Sequence, residues 1–280
     1  MAIDIALRLG AEIVSVDSMM LYRGMDVGTA KPTHTERRGV PHHMIDIADP
    51  SEEFSVAAFR RLGRRILNRG SSPFVIVGGS GLHFRALVDP MSFAPTDEAT
   101  RAELEGAEHD DLVEELLAVD RDAGRHVDLA NQRRVVRAVE IARLTGETPS
   151  SRAGTAEAED LRRYVPEIEF TAIGVDPGED LDRRIHARLA SMRSGGLVDE
   201  VTALQGEMGR TAANAVGYRE ILGHLEGRMT LDQAFESIGS NTRQLARRQR
   251  TWFQRDPRIR WIPWIDEHEA RVDRAMELLT

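Results

Sequence analysis

Cysteine is absent from this sequence of 280 residues, so the chain forms no disulfide framework and offers no thiolate site for zinc. Long apolar runs are absent too. Because no stretch of about 18 apolar residues occurs, we expect no transmembrane helix. The first residues include Asp4 and Arg8 and lack a small-residue cleavage site, so they do not resemble a secretory signal. Together these absences predict a cytoplasmic protein that does not bind membranes.

Lysine is nearly absent as well, which makes the distribution of charge unusual. Lys31 is the only lysine, so arginine carries almost all of the positive charge. The net charge of −9 argues against indiscriminate binding of nucleic acid, which depends on Lys and Arg. The arginines are nevertheless clustered within 60–69, 133–137 and 243–255. Each cluster is either a solvated helix face or a surface that contacts phosphates.

The hydrophobic pattern predicts an α/β protein. Apolar runs at 12–16 and 74–77 are typical of buried strands, and the spacing over 54–69 predicts a helix between them. Strand, helix and strand in this order indicate a parallel sheet. Further strands are expected at 168–175 and at 259–264, where Pro263 should block continued pairing. Further helices are expected at 2–9, 179–193, 196–208, 231–255 and 267–279.

The region from about 95 to 164 has a different character. It is highly charged and contains no convincing strand, which predicts an all-helical segment. We interpret 96–164 as a helical insertion into an α/β core made of 1–95 and 165–280. Inside this insertion, residues 150–160 are rich in Ser, Ala, Gly and Glu, a composition that predicts a loop or linker.

The most informative segment runs from Ile13 to Pro32. A β-branched strand ends there in Asp17 and Ser18, and a polar loop punctuated by Gly24 and Gly28 follows. In α/β sheets, ligands bind beyond the carboxyl ends of the strands. Asp17 is therefore either a turn-forming aspartate or a residue that takes part in chemistry.

This segment resembles the signature of the tRNA dimethylallyltransferases, also called tRNA isopentenyltransferases. Residues 214–219 resemble the family's IGYRE-like motif, and 242–253 resemble its TRQLAKRQxTW-like motif. The resemblance extends over about 2–265. It implies a P-loop NTPase-like parallel sheet core with an all-helical insertion domain, here 96–164, that binds tRNA. It also implies transfer of a dimethylallyl group from dimethylallyl diphosphate to the exocyclic amine of the adenosine 3′ of the anticodon.

One family element is not found. Members begin with a strand and a glycine-rich phosphate loop, but no G-x-x-x-x-G-K-[ST] motif occurs in the 280 residues. We expect either that the sequence starts downstream of the loop or that the loop was lost. In both cases diphosphate binding should be weak. In the family, magnesium is normally coordinated by a hydroxyl of the phosphate loop. The resemblance therefore implies Mg²⁺ as a cofactor, but no residue of this sequence is assigned as its ligand.

The resemblance implies roles for individual residues. Asp17 matches the family's general base, which accepts a proton from the attacking amine. Lys31 and either Arg184 or Arg188 are implied to hold the diphosphate; the two arginines share a helix face, so the sequence does not decide between them. His83 stands where members usually have tyrosine, which would change stacking in the channel. The positions implied to contact tRNA or its target base are Asp17, Ser18, Met19, Met20, Ser80, Arg101, Arg133, Arg134, Arg137, Gly217, Tyr218, Arg219, Arg247, Arg248 and Gln249.

Other interpretations of the motifs remain open. Trp252 is expected to pack in the core rather than stack on a base. An adenylate isopentenyltransferase would act on a free nucleotide, but it would not need the insertion or the motif at 242–253. An inactive truncated homologue would only bind RNA. For the enzyme, the expected partners are the anticodon arm of tRNA and dimethylallyl diphosphate, and the expected state is a monomer.

Overall fold

The computed structural model describes residues 1–69 and 72–279. Within them the chain forms two compact units, Met1–Val88 together with Glu169–Thr280, and Asp89–Ile168. The expected insertion, 96–164, lies inside the second unit.

Five strands and fifteen α-helices are assigned within this described part of the chain. The strands are β1 Glu12–Ser15, β2 His42–His43, β3 Phe74–Val77, β4 Ala172–Asp176 and β5 Ile259–Pro263. The helices are α1 Ala2–Leu9, α2 His34–Arg37, α3 Val56–Leu67, α4 Gly81–Val88, α5 Glu98–Glu105, α6 His109–Val119, α7 Gln132–Thr145, α8 Pro149–Ala153, α9 Ala156–Arg162, α10 Leu181–Ser194, α11 Leu197–Leu204, α12 Arg210–Ala213, α13 Tyr218–Leu225, α14 Leu231–Phe253 and α15 His268–Leu279.

The first unit is built on parallel strands, as the sequence predicts. Strand β1 lies in the centre of a three-stranded sheet, with β2 on one side and β3 on the other. The register pairs Ser15 with Val77, so the carboxyl ends of β1 and β3 meet at one edge. Strands β4 and β5 form a separate parallel pair. The predicted α/β class with parallel strands is therefore confirmed.

One prediction about a chain break is wrong. Residues 150–160 are not a loop, because Thr148 forms a capping box and Pro149 stands in the first helical turn of α8. Thr155 then caps α9 by accepting a hydrogen bond from the backbone of Ala158. The pairing of β5 does end at Pro263, as expected: the last pair joins it to Asp176, whose carbonyl accepts from the backbone N–H of Trp264 at 2.9 Å.

Each unit has hydrophobic clusters of its own. In the first unit, buried side chains from β1, α3, α4, α13 and α14 pack together, among them Val14, Phe59, Leu87, Tyr218 and Ile238. In the second unit, a separate cluster joins α5, α6 and α7 and includes Leu104, Leu112, Leu116, Val135 and Val139. Within the described residues, no helix is both long enough and apolar enough to cross a membrane.

Candidate active site

Asp17 lies just beyond β1, at the edge where the carboxyl ends of β1 and β3 meet. Its Oδ1 accepts hydrogen bonds from the backbone N–H of Met19 at 2.8 Å and of Met20 at 3.4 Å. This is a turn stabilised by the aspartate itself. Oδ2 has no hydrogen-bond partner in the described chain, and the residue is half-buried. Asp17 is thus held in place by one oxygen and presents the other to solvent or substrate.

The residues that follow Asp17 form a turn over the sheet edge. Ser18 is half-buried and has no hydrogen bond within 1–69 and 72–279. Met19 packs partly against the core cluster of the first unit. The Sδ of Met20 accepts a weak hydrogen bond from the hydroxyl of Ser15 at 3.9 Å. Of the three side chains, only the Ser18 hydroxyl is available for a polar contact with a bound base.

The loop after β3 is drawn tightly against Asp17. A Cβ on Gly78, whose φ is +155°, would lie 2.6 Å from the carbonyl carbon of Val16, so this position requires glycine. The loop then returns to β1, where the N–H of Ser80 donates to the carbonyl of Val16 at 3.2 Å. These contacts bring together Asp17 and Ser80, which the resemblance implies as contacts of tRNA or its target base.

His83 forms a hydrogen bond with the Ser80 hydroxyl. Its Nδ1 lies 2.7 Å from Ser80 Oγ, and its ring packs edge-on against Phe59 with centroids 4.5 Å apart. The side chain is 7% exposed, so it is a buried support rather than a stacking surface in an open channel. Burial lowers the pKa of His83, and the negative charge of Asp17 acts in the opposite direction. His83 and Asp17 are therefore electrostatic neighbours.

The structure distinguishes the two arginines that the sequence leaves open. Arg188, on α10, donates to the carbonyl of Gly28 at 3.3 Å. Burial lowers the pKa of Arg188, and the carboxylate of Asp17 partly offsets this effect. Arg188 and Asp17 therefore interact electrostatically, and solvent still reaches the Arg188 side chain.

Arg184 is engaged elsewhere on the same helix. Its Cζ lies 3.4 Å from the centroid of the Trp264 ring, and Arg271 approaches that centroid to 3.8 Å. Burial and the neighbouring cations Arg271 and Arg183 lower the pKa of Arg184. This stacked position does not support a contact between Arg184 and a diphosphate.

Lys31 does not present a free ammonium group. Its side chain is 3% exposed and its Nζ lies 2.6 Å from a carboxylate oxygen of both Asp26 and Asp46. It also donates to the carbonyl of Tyr22 at 2.8 Å. All three N–H groups are therefore occupied by acceptors, and the structure gives Lys31 the role of a clamp between two loops rather than a phosphate ligand.

The segment Gly217, Tyr218 and Arg219 is also internal. Tyr218 is fully buried, and its hydroxyl donates to Glu200 at 2.6 Å. The N–H of Gly217 donates to the buried carboxylate of Glu220 at 2.8 Å, and Arg219 pairs with the same carboxylate at 2.7 Å. The predicted tRNA contacts of Gly217 and Tyr218 are not supported, because neither group is left for a ligand.

Helix α14 presents the predicted RNA-binding motif. Arg247 and Arg248 are exposed and form no ion pair in the described part of the chain. Gln249 points inward, and its Nε2 donates to the carbonyl of Gly79 at 3.0 Å, which ties α14 to the loop that carries Ser80. Trp252 is 45% exposed, so the expectation that it packs in the core is wrong.

The arginines of the second unit differ in whether a close ion pair holds them. Arg133 is exposed without an ion pair among the described residues, and Arg134 lies 3.9 Å from Asp128 at the surface. Arg137 instead donates to the fully buried carboxylate of Glu140 at 2.7 Å and to the carbonyls of Ala94 and Pro95.

Arg101 is partly engaged with the same carboxylate. It lies 3.6 Å from Glu140 and 3.4 Å from Glu105. Arg133 and Arg134 therefore remain candidates for contacts with RNA phosphates, whereas the structure favours a bracing role for Arg137.

The described residues contain no group of three or more His, Asp or Glu side chains placed to hold a metal ion. Mg²⁺ requires several oxygen ligands at once. Asp17 offers one free oxygen, which is not sufficient by itself. The residues described do not form a magnesium site, and the requirement for magnesium remains a prediction.

Residues 20–256 match the family model described as IPP transferase. The chain belongs to the IPP transferase family. Among its relatives, the tRNA dimethylallyltransferase of Bifidobacterium animalis subsp. lactis (strain AD011) is 41% identical over 278 residues, covering 96% of this chain and 78% of that protein. The tRNA dimethylallyltransferase of Parafrankia sp. (strain EAN1pec) is 44% identical over 285 residues, covering 98% and 86%.

Solved structures of IPP transferases share this architecture. The crystal structure of tRNA delta(2)-isopentenylpyrophosphate transferase from Staphylococcus epidermidis superposes with a TM-score of 0.70 at 30% identity, covering 99% of this chain and 92% of that one. A structure of a eukaryotic dimethylallyltransferase acting on tRNA gives a TM-score of 0.75 at 22% identity, covering 97% and 73%, and supports the fold alone. The resemblance inferred from the sequence motifs is confirmed.

Sequence reasoning missed Glu200, which accepts hydrogen bonds from the loop beside Arg188. Its carboxylate lies 2.7 Å from the N–H of Val27 and 3.1 Å from that of Gly28. No motif marks it, because an acid near the start of an amphipathic helix such as α11 is an ordinary surface pattern. Glu200 reaches the loop only in the folded chain, where the Tyr218 ring packs closely on Gly28.

We expect Arg137→Ala to lower the free energy of unfolding by about 3 kcal/mol, because it leaves the buried Glu140 carboxylate without its closest partner. Arg134→Ala is the matched control on the same helix and should cost less than about 0.5 kcal/mol. Urea unfolding followed by far-UV circular dichroism measures both. Equal unfolding midpoints for the two variants would contradict the bracing role of Arg137.

We also expect His83 to make the fold sensitive to acid. Because burial lowers the pKa of folded His83, the unfolded chain binds a proton first as the pH falls through about 6.5, and the free energy of unfolding then decreases. Burial lowers the pKa of His42 as well and contributes with the same sign.

His83→Gln should therefore reduce, but not abolish, the loss of stability between about pH 7 and pH 5. His34→Gln, at an exposed position of α2, is the control and should leave the pH dependence unchanged. Urea midpoints measured across this pH range provide the test. A parental pH dependence in His83→Gln would exclude this histidine as the source.

Proposed function

We propose that this chain transfers a dimethylallyl group from dimethylallyl diphosphate to the exocyclic amine of the adenosine 3′ of the anticodon in tRNA. Membership of the IPP transferase family and the relatives named tRNA dimethylallyltransferase support the reaction type. A cytoplasmic location and a monomeric state remain predictions.

The position of Asp17 carries the proposal. The exocyclic amine of adenine is a poor nucleophile because its lone pair is delocalised into the ring, so its attack needs a group that accepts a proton. The turn hydrogen bonds to Oδ1 fix the Asp17 carboxylate and leave Oδ2 for this purpose. Asp17 is rigid because its own turn and the tight loop after β3 enclose it.

The reaction is a single displacement. The amine nitrogen forms a bond to the first carbon of the dimethylallyl group, and the bond between that carbon and the diphosphate oxygen breaks. The diphosphate leaves with the electron pair, and a proton of the amine passes to Asp17 Oδ2. The adenine must leave its stack to reach this edge, as in other enzymes that modify bases.

Arg188 is the group that favours departure of the diphosphate. Of the three cations predicted to hold this anion, Lys31 is clamped and Arg184 is stacked, which leaves Arg188, whose charge interacts with that of Asp17. A guanidinium beside the reacting carbon stabilises the charge that develops on the leaving group.

RNA contacts are assigned to exposed arginines that no close ion pair holds. Arg247 and Arg248 on α14 fill this role in the first unit, and Arg133 and Arg134 on α7 fill it in the second. A free nucleotide would make no use of such surfaces, which disfavours an adenylate isopentenyltransferase.

One observation favours a second candidate, a homologue that binds RNA without transfer. Lys31 is occupied by Asp26 and Asp46 and Arg184 is stacked on Trp264, so of the three predicted diphosphate ligands only Arg188 remains. Charge-assisted hydrogen bonds are worth roughly 1.5–3 kcal/mol each, so their number decides donor affinity.

Asp17→Asn should lower the single-turnover rate of prenyl transfer by about 100-fold or more, with tRNA affinity nearly unchanged. Asparagine keeps the turn acceptor but is not a base. Asp49→Asn is the matched control, because the Asp49 side chain also stabilises a turn, by accepting a hydrogen bond from the N–H of Ser51. Transfer of radiolabelled dimethylallyl groups to unmodified tRNA measures both variants.

Two results would contradict the enzymatic proposal. A rate for Asp17→Asn within a few-fold of the parent would remove Asp17 from the role of base. If the parent chain transfers prenyl groups no faster than the background rate but still binds an anticodon stem-loop, the RNA-binding candidate is favoured.

Replacing both Arg247 and Arg248 by alanine should weaken tRNA binding and reduce its salt dependence by up to about 2 units of slope, since each removes one phosphate contact. The control replaces Arg243 and Arg250 on the same helix, which pair with Asp182 at 2.7 Å and Asp176 at 2.8 Å. It removes the same charge, so equal slopes for the two double variants would place Arg247 and Arg248 outside the RNA surface.

A further inference from the structure

The loop at 26–28 is held by one carboxylate. Glu200 Oε2 accepts hydrogen bonds from the backbone N–H of Asp26 at 2.9 Å and of Val27 at 2.7 Å, and Oε1 accepts from that of Gly28 at 3.1 Å. Three successive N–H groups thus point at a single side chain from α11. Three fixed donors on one carboxylate set the path of this loop more firmly than packing alone.

Tyr218 completes this arrangement from the other side. Its hydroxyl donates to Glu200 Oε1 at 2.6 Å, and its ring lies so close to Gly28 that a Cβ there would collide with it. Burial and the hydrogen bond to Glu200 raise the pKa of Tyr218, so the hydroxyl remains a donor. With four donors the Glu200 carboxylate is saturated, and it is not left free to bind a substrate or a metal.

The held loop carries the acceptor for Arg188. The carbonyl of Gly28 accepts the hydrogen bond from Arg188 Nη2 at 3.3 Å, and Arg188 interacts electrostatically with Asp17. The peptide N–H on one side of the Gly28 Cα is fixed by Glu200, and the carbonyl on its other side holds the guanidinium. A shift of the loop would therefore move Arg188 relative to Asp17.

We propose that Glu200 and Tyr218 are positioning residues for the leaving diphosphate: they fix the 26–28 loop so that the carbonyl of Gly28 holds the guanidinium of Arg188 in place to bind it. The inference rests on the proposed function, because it gives Arg188 a diphosphate to hold. A positioning role also accounts for the place of Tyr218 in a family motif although its side chain is fully buried.

A purely structural brace would have different consequences. Its loss would lower the free energy of unfolding and weaken the binding of diphosphate and of tRNA together. A positioning pair acts through Arg188, so its loss affects diphosphate binding, leaves tRNA binding intact and has no further effect once Arg188 is gone.

The experiment measures binding of dimethylallyl diphosphate and of inorganic diphosphate to the full chain by isothermal titration calorimetry. Binding of an anticodon stem-loop is measured in parallel. We expect Arg188→Ala to weaken diphosphate binding about 30-fold, Glu200→Gln about 10-fold and Tyr218→Phe about 3-fold, since the phenylalanine removes one donor and keeps the ring. Stem-loop affinity should stay within about 2-fold for the Glu200 and Tyr218 variants.

The double variant of Glu200→Gln and Arg188→Ala should bind diphosphate as weakly as Arg188→Ala alone, and no more weakly. Glu53→Gln is the matched control. Glu53 also joins two segments, accepting from the N–H and the hydroxyl of Thr211, but has no link to Arg188. It should change stability without changing diphosphate affinity.

The outcomes separate this inference from the proposed function. No diphosphate binding by the parent, or no effect of Arg188→Ala, would overturn the assigned donor site and this inference with it. A clear effect of Arg188→Ala with none for Glu200→Gln would overturn the positioning role alone. The positioning role is also overturned if the effects of Glu200→Gln and Arg188→Ala multiply in the double variant, or if Glu53→Gln weakens diphosphate binding as much as Glu200→Gln.

Discussion

The contact between the carboxyl ends of β1 and β3 is the constraint on which the site depends. Gly78 leaves no room for a side chain against Val16, so the two segments leave the sheet in touch with each other. Asp17 follows one strand and Ser80 the other, and the backbone N–H of Ser80 returns to Val16. The Asp17 carboxylate is therefore placed by backbone hydrogen bonds and strand register, which side-chain substitutions outside this edge do not easily disturb.

Patterns of apolar residues predicted the elements that are long or fully apolar. Strand β3 lies where it was expected. Helix α3 is two residues shorter than expected at each end, and it begins after its cap, Ser55, which accepts from the N–H of Ala58 at 3.1 Å. Strand β2 was missed because two residues are too short to show a period. Helices α8 and α9 were missed because the composition of 150–160 is typical of a loop. The capping residues Thr148 and Thr155 are the local feature that indicates two helices there.

The candidate site was only partly accessible to sequence reasoning, and the reason is charge pairing. The place of Asp17 follows from strand register, but the chain has 46 acids and 37 basic residues, so a basic position can pair with an acid from a distant part of the chain. Arg243 and Arg250 are neutralised while Arg247 and Arg248 between them are not. Lys31 matched a family pattern and proved to be clamped. Which cations stay free depends on contacts between residues far apart in sequence, as for Glu200 and the loop at 26–28.

The division of the hydrophobic side chains into separate clusters bears on how unfolding is observed. The sequence has three tryptophans, Trp252, Trp261 and Trp264, and all lie in the unit that holds Asp17. Tryptophan emission therefore monitors that unit alone, whereas the helical signal in circular dichroism arises from both. If the two signals do not coincide along a denaturant titration, the chain has two free energies of unfolding rather than one. The helical unit is then an independently stable module, and substitutions in it shift one transition and leave the other in place.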